Sequence, residues 1–309
     1  MKRTLDLEED IGALKLRQEK FDDKRADVYL DTSTDPETGE KRHDYYVNGV
    51  KVGKDQGYIG VTTYIHNNLF KKFDKEAAVQ NVLRSPKYTT CSTYRYYLKP
   101  KEEILAMWED SGAQGTDLHD KIDAFLRGGN IDELFTDNLF LFRFCLASVL
   151  MGAARDCILF GSESALHDPE LRLTGCIDAL FYNPKTKSFV LLDWKANSVK
   201  KDHYGEFGIH PTSSNIRDTK YNRYVCQLNI YALMLKRNYN LPCDKLYVVG
   251  FGIDKLMEQP DYKTMDDNQK LDRLLENLDA YEVQSDQQFQ DDFIKNRKAE
   301  VAEFLKSQK

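Results

Sequence analysis

Two carboxylates and a lysine occupy positions in this chain where charge is costly. They lie in LRLTGCIDALFYNPKTKSFVLLDWK, residues 171–195, where Asp178 interrupts one apolar run and Asp193 and Lys195 close the next. A buried charge is expensive unless it is paired or bound to a metal. Residues two apart on a strand share a face, so Asp193 and Lys195 point one way, and Trp194 with Leu192 the other. The same rule puts Asp178 on the face of Cys176 and Leu180. Two carboxylates at bonding range repel unless a cation lies between them, and hard oxygen ligands select Mg²⁺ or Mn²⁺. Such an ion activates water, polarises a phosphoryl group and stabilises a leaving oxygen. Lys195 would add positive charge where the transition state develops negative charge. Metal-dependent phosphodiester chemistry is the expectation. Asp-x-Lys alone is ordinarily a plain salt bridge, so the weight rests on its neighbours.

The elements that must position these groups can be read in the same stretch. Asn183 to Lys187 is turn-like, so the two runs are expected as antiparallel neighbours. Cross-strand pairing can then bring Asp178 and Asp193 close, in a register the sequence leaves open. Ile158 to Leu166 reads as a further strand carrying Glu163, and Asp244 to Ile253 as a core strand. YNRYVCQLNIYALMLKRNY is an amphipathic helix with Gln227 and Tyr231 one turn apart on one face. TDLHDKIDAFLRGG is expected as a helix capped by Thr116 or Asp117 and ended by Gly128 and Gly129, with Leu118, Ile122, Phe125 and Leu126 as its buried stripe. His119 sits at the edge of that stripe, where an isolated histidine is ordinarily a satisfied core residue.

Between the lysine and the amphipathic helix lies a connector that mixes cations with aromatic rings. It carries Lys200, Lys201, Arg217, Lys220 and Arg223 among Tyr204, Phe207, Tyr221 and Tyr224. Cations can meet phosphates and rings can stack on bases, so a nucleic-acid strand suits it.

The rest of the chain divides around this centre. Residues 1–30 read as a charged helical arm with Leu5, Leu7, Ile11, Leu14 and Leu16 apolar, and 31–43 as a polar loop. A hairpin turning at Asn48-Gly49 follows, then short helices over 62–111 with caps at Thr62-Thr63 and Asp74 and Pro100 opening the last. Residues 131–155 look helical, and residues 261–309 form an acidic helical tail that Phe289, Phe293, Val301, Phe304 and Leu305 would dock. The working division is 1–30 arm, 31–114 hairpin and helical cap, 115–260 core, and 261–309 tail.

Bulk composition bounds the function. Of 309 residues, 41% are hydrophobic and 12% aromatic, enough for a large core, so global disorder is excluded. A net charge of −6 argues against a protein that coats nucleic acid generally, though not against a local basic patch. The six cysteines contain no Cys-x-x-Cys pair, which disfavours a zinc ribbon. No segment approaches the ~20 apolar residues of a membrane span, and the first residues do not resemble a secretory signal. A soluble intracellular protein with reduced thiols, and no membrane partner, is expected.

Taken in order, Gly115-Thr116-x-Leu118-His119, Glu163, Gly175-x-Ile177-Asp178, Asp193-x-Lys195 and Gln227-x-x-x-Tyr231 resemble the RecB-type exonuclease branch of the PD-(D/E)XK nuclease superfamily. The resemblance covers residues 115–253. More loosely, VNGVKVGKDQGYIGVTTYIHNNLFKKFD is similar to the lead-in of mitochondrial genome-maintenance exonucleases and of nucleases from large DNA viruses. The resemblance implies an α/β restriction-endonuclease-like core, a mixed central sheet flanked by helices, with an N-terminal helical region. It implies Asp178 and Asp193 as main metal ligands, joined by His119 and the backbone carbonyl of Trp194, with Lys195 catalytic. Gln227 and Tyr231 would orient the site or contact DNA, and Glu163 would bind metal through water or hold a basic partner. Some relatives carry an iron–sulfur cluster held by a C-terminal cysteine trio. Here Cys243 is the one cysteine after the Gln-x-x-x-Tyr helix, so no such cluster is expected. No Gly-x-x-x-x-Gly-Lys-Ser/Thr occurs, so no fused ATP-driven helicase is expected. The implied activity is Mg²⁺- or Mn²⁺-dependent cleavage of single-stranded DNA or DNA ends, alongside replication or recombination proteins. The alternatives are an accessory DNA-binding protein without useful catalysis, and an endonuclease on branched or duplex DNA.

Overall fold

The computed structural model describes residues 27–33, 43–127, 156–257 and 278–308, with residue 15, residues 18–22 and scattered positions between 259 and 276. The expected helix over 131–155, most of the 1–30 arm and the Gly128-Gly129 stop lie outside them.

Two sheets carry the structure. The smaller is antiparallel, in the order β1 (Val28–Asp31), β2 (Asp44–Val47), β3 (Val50–Val52). Asn48 and Gly49 both have positive φ, the backbone twist that a two-residue hairpin needs, so the expected turn is present. Residues 28–31 are strand, not the end of a helical arm, because they pair with β2 from Val28↔Val47 to Asp31↔Asp44. Val28 and Val47 bury their side chains against Ala165 of the larger sheet.

The larger sheet is built from β4 (Ile59–Gly60), β5 (Ile158–Asp168), β6 (Leu173–Asn183), β7 (Ser188–Lys195), β8 (Cys243–Gly250) and β9 (Asp279–Val283). β6 is its long central member. On one edge it pairs antiparallel with β5 from Ile158↔Tyr182 to Asp168↔Leu173. Its other edge is shared. β7 pairs antiparallel from Asn183↔Ser188 to Ala179↔Leu192, and β4 pairs parallel at Leu173 and Thr174. Between Thr174 and Ala179 that edge has no partner strand among the described residues, so β6 and β7 form a fork. β7 and β8 are parallel and β8 and β9 antiparallel, which makes the sheet mixed.

Helices cover both faces, giving the α/β class that was expected. α1 (Val61–Tyr64) runs into a π turn, Ile65–Leu69, and is followed by α2 (Lys75–Arg84), α3 (Pro86–Thr90) and α4 (Lys101–Leu126). Asp74 caps α2, accepting from the Ala77 N–H at 2.9 Å. α1 starts after Gly60, which puts Thr62 and Thr63 inside its first turn and not at the cap. The two helices expected on either side of residue 115 are one, α4, with Pro100 at its N-cap. A mid-helix glycine costs about 1 kcal/mol; burial of Ile104, Leu118 and Ile122 along one helix outweighs it. The 114/115 boundary therefore falls within a single helix.

α5 (Lys220–Tyr239) crosses from β7 to β8, the long connection a parallel pair requires. Thr219 caps its start, and Asn240, with φ 58°, ends it. Its Leu228, Ile230, Leu233 and Met234 pack on Leu180, Leu191 and Leu246 of the sheet. On the opposite face, α4 brings Leu118 and Ile122 against Phe181, Val190, Leu192 and Trp194. After a short helix α6 (Ile253–Met257), the tail supplies β9 as well as α7 (Gln287–Ser307), so it is not wholly helical. Phe289, Phe293 and Val301 of α7 are buried, whereas Leu305 faces solvent. No helix of the described residues is long and apolar enough to cross a membrane.

Candidate metal centre

The fork between β6 and β7 is where the charged residues collect. The last paired position is Ala179↔Leu192, so Asp178 and Asp193 stand opposite each other one step beyond it. There the Asp178 carboxylate takes the place of a ladder carbonyl: its Oδ2 accepts the Trp194 N–H at 2.8 Å. On the β5 side, Glu163 falls between the pairs Ser162↔Ala179 and Ser164↔Ile177, level with Asp178. Three acids thus line up across three adjacent strands.

Strict alternation would not aim these acids as they are aimed. Ser162 donates to Asp123 of α4, and the next residue, Glu163, faces His119 of α4. Ala179 packs in the cluster under α4, and its neighbour Asp178 also faces His119. Ile177 and Leu180, three residues apart, share the cluster under α5, and the Ser164 hydroxyl lies beside Gly161. Alternation therefore breaks on both strands at the same level with the register unchanged, two pairs beyond the register shift between Leu159 and Gly161. Glu163 carries the distortion with φ 38°, a conformation that costs a non-glycine residue of order 1–3 kcal/mol. The break turns two consecutive side chains on each strand toward α4. Asp178 consequently shares its face with Ala179 and not, as alternation implies, with Leu180.

α4 is fastened at the matching height. Asp123, one turn beyond His119, receives Ser162 and both Arg127 contacts at 2.8 and 2.9 Å, and Arg127 also donates to the Ser162 carbonyl at 3.0 Å. His119 is held by this clamp. Its Nε2 lies 3.0 Å from the Trp194 carbonyl, and its Nδ1 lies 3.3 Å from Glu163 Oε1 and 3.6 Å from Asp178 Oδ1. Asp123 was not among the residues singled out from sequence; its i+4 spacing from His119 is the one clue to it.

Both His119 ring nitrogens face atoms that only accept, which is the arrangement of an imidazolium. Burial favours the neutral ring, but Asp178 and Glu163 outweigh it, and the pKa is pushed up to about 9. Burial raises Asp178, opposed by His119 and Lys195. Asp193 is raised by burial, drawn back by Lys195 and raised again by Asp178, to about 6. Burial works against the Lys195 ammonium, but Asp193 and Asp178 hold it firmly charged.

Asp193 turns toward α5. Its Oδ1 accepts from Gln227 Nε2 at 2.9 Å, and Lys195 Nζ sits 2.8 Å from its Oδ2. Lys195 in turn lies over the Tyr224 ring, 5.0 Å from its centroid. The ligand atoms of His119, Glu163 and Asp178 lie within 4.8 Å of one another, a group that Asp193 does not join. The donor set suits a hard divalent cation: one imidazole, carboxylates and a backbone carbonyl. Charge agrees. With His119 neutral, three carboxylates against one ammonium leave a double negative charge, as a divalent ion would balance.

The remaining expected site residues divide. Lys220 and Tyr224 line a cleft of about 180 Å³ with Gly115, His119, Lys195 and Asn197. Lys200 is exposed. Lys201 stacks over Tyr281 and Tyr221, and Arg217 over Phe207 while donating to the Gly205 carbonyl. Arg223 is spent internally: it pairs with Asp218 at 2.7 and 2.9 Å, bonds the Lys71 carbonyl and covers Phe70. Tyr231 is buried, its ring filling the space that a side chain on Gly175 would take. Of its two expected roles, orienting the site is the one open to it. The described cysteines are thiols, and that of Cys176 donates to Glu163 Oε2.

No protein-family model matches the chain, and no curated protein matches it.

Proposed function

We propose that this chain is a metal-dependent deoxyribonuclease of the PD-(D/E)XK type, acting on single-stranded DNA or DNA ends. The observation that carries the reading is the row Glu163, Asp178, Asp193 at a strand fork, with His119 and Lys195 on either side. The order of motifs along the sequence supports the same assignment.

His119, Glu163, Asp178 and the Trp194 carbonyl would hold a Mg²⁺ or Mn²⁺ ion, with Asp193 at its border. When bound, such an ion supplies an activated water and stabilises charge on the phosphoryl oxygens. The chain's own residues do the rest. Asp193 holds the Lys195 ammonium at the mouth of the cleft, and Gln227 fixes Asp193 so that the lysine keeps its place. Lys195 remains protonated and offers positive charge to a phosphate entering beside Lys220 and Tyr224. Leu118, Ile122 and Trp194 pack the floor and exclude water from beneath the acids.

The test is cleavage of end-labelled single-stranded DNA in Mg²⁺ and in EDTA, by wild type and by Asp193→Ala and Lys195→Ala. Wild type should cut only with metal, and each variant should lose about a hundredfold or more. Linear strands should be degraded and circular ones spared. Equal cleavage by all three proteins sinks the proposal; binding of the strand with no turnover leaves an accessory binding protein in its place.

A further inference from the structure

Residues 71–101, which lead through α2 and α3 to the start of α4, are more basic than the connector after Lys195. They hold eight lysines and arginines against two acids, in a chain whose net charge is −6. Residues 196–226 hold five against three. Five aromatic rings are interleaved with the cations of the first stretch: Phe73, Tyr88, Tyr94, Tyr96 and Tyr97.

Three of these rings and one from α4 form a ladder. Phe73 lies edge-on to Trp108, Trp108 to Tyr96, and Tyr96 to Tyr94, with centroids 6.3, 6.2 and 5.4 Å apart. The Trp108 indole N–H donates to the Tyr96 hydroxyl at 2.7 Å, and the Arg95 guanidinium sits 5.0 Å over the Tyr96 ring. The ladder is not core. Phe73 is 62% exposed, and Tyr94, Tyr96 and Trp108 are half-buried. A lone exposed ring is ordinary. A locked row of rings set in a basic surface has the character of a single-strand platform, on which bases stack and cations meet the backbone.

The charge suits a polyanion. Lys72, Arg84 and Lys87 are exposed. Lys71, Lys75, Lys99 and Lys101 pair with Glu206, Glu109, Glu103 and Glu76. Surface pairs of this kind contribute little, so a phosphate backbone can displace the carboxylates.

α4 joins the ladder to the metal centre. Trp108 precedes His119 by eleven residues, three helical turns, so the two lie on one face ~16 Å apart. Gly115, one turn from His119 on the ladder side, lines the cleft with it. A side chain at Gly115 would meet nothing within 4 Å, so that turn of the helix is open.

We propose that the Phe73–Trp108–Tyr96 ladder and the cations around it are a base-stacking platform for a single nucleic-acid strand that continues into the metal-centre cleft. What happens to the strand in the cleft rests on the nuclease reading; the preference for a strand with bases rests on the platform alone.

The test measures binding and not cutting. Oligothymidylate and an abasic deoxyribose-phosphate strand of the same length are titrated in EDTA against the full-length wild type, Phe73→Ala and Lys87→Glu. Wild type should bind oligothymidylate about tenfold more tightly than the abasic strand. Only oligothymidylate should quench tryptophan emission, because Trp108 stands in the ladder and the other tryptophan, Trp194, is buried. Phe73→Ala should lose most of the preference for bases. Lys87→Glu should weaken both strands alike and lower the salt dependence by about one phosphate contact. Equal affinity of the wild type for the two strands, or wild-type binding by both variants, overturns the proposal. Lys87 is exposed, so Lys87→Glu remains informative if Phe73→Ala loosens the helices around it. Base-dependent binding in a protein that never cuts DNA would leave the platform standing and remove the nuclease reading; an active nuclease that binds the two strands alike would do the reverse.

Discussion

Trp194 meets Asp178 through its backbone: the N–H donates to Asp178 Oδ2 at 2.8 Å, while the carbonyl on the far side of the same residue faces His119 at 3.0 Å. One residue thus spaces a carboxylate and an imidazole about a common point. Its side chain contributes nothing polar to that point, being packed among Leu118, Ile122 and Leu192. The geometry of the centre is accordingly a property of the β7 backbone, fixed by core packing beneath it.

Metal binding should appear first as stability. An ion that binds only the folded state adds about 2.7 kcal/mol at a hundredfold excess over its Kd. Thermal unfolding of the wild type should shift upward with Mn²⁺. Asp178→Asn and His119→Ala should unfold at the same temperature with and without it. A metal-induced rise in both variants that equals the wild-type rise would show that the ion sits elsewhere.

Gly175→Ala should be disruptive. An alanine methyl would stand 2.4 Å from Tyr231 Cε1 and 3.1 Å from its Cζ, in a ring that is itself buried. Overpacking of this kind costs about 1–3 kcal/mol. Tyr231→Leu opens the same space, so the double variant should be less destabilised than the two single effects added together. Urea denaturation of the four proteins measures the coupling, and strict additivity would mean that β6 moves aside without cost.

Much of this was legible in the sequence because strands announce themselves by apolar runs. β5, β6, β7 and α5 stand where alternation and periodicity put them, and Asp178, Asp193, Lys195 and Gln227 stand out as polar groups among apolar ones. The face of Asp178 was not legible. The break in alternation goes with one residue's backbone angle, the positive φ of Glu163, and neither Glu163 nor Asp178 is of a type that marks one. α4 read as two helices because Gly115 looks like a break, and only the packing on both sides of it says otherwise. β9 lies in an acidic tail and is strand because β8 offers it an edge, which no local pattern encodes.

The tail helix is held by a half-buried carboxylate whose loss should be measurable. Glu300 Oε1 accepts from Tyr64 at 2.7 Å and lies 2.9 Å from His210 Nε2; Oε2 accepts from Arg297 at 2.9 Å. Burial would raise its pKa, but these three hydrogen bonds outweigh it and hold it below the usual carboxylate range. A depressed carboxylate stabilises the fold above its unfolded pKa, about 4.3, and the contribution is lost as pH falls through the lower folded value. Glu300→Ala should cost about 2 kcal/mol at pH 7. The gap from wild type should narrow below pH 4, and a gap that stays constant down to pH 3 would mean that the carboxylate's charge is not what matters.

His119 gives the centre a pH dependence of known sign. Its folded pKa of about 9 lies above its unfolded value, about 6.5. In the metal-free protein the imidazolium therefore stabilises the fold below pH 6.5, and that contribution is lost as pH rises through about 9. Metal ligation needs the neutral ring, so binding must expel this proton. Asp193, at about 6, is already ionised across the range and does not compete. Apparent Mn²⁺ affinity should rise about tenfold per pH unit between 7 and 8.5 and level off above 9. His119→Gln should flatten the profile while weakening the plateau. The measurement is the electron paramagnetic resonance signal of free Mn²⁺, titrated at each pH with no nucleic acid present. A wild-type affinity that is level from pH 7 to 9 would mean that His119 is not a ligand, and the Asp178 and Glu163 carboxylates would then have to hold the ion without it.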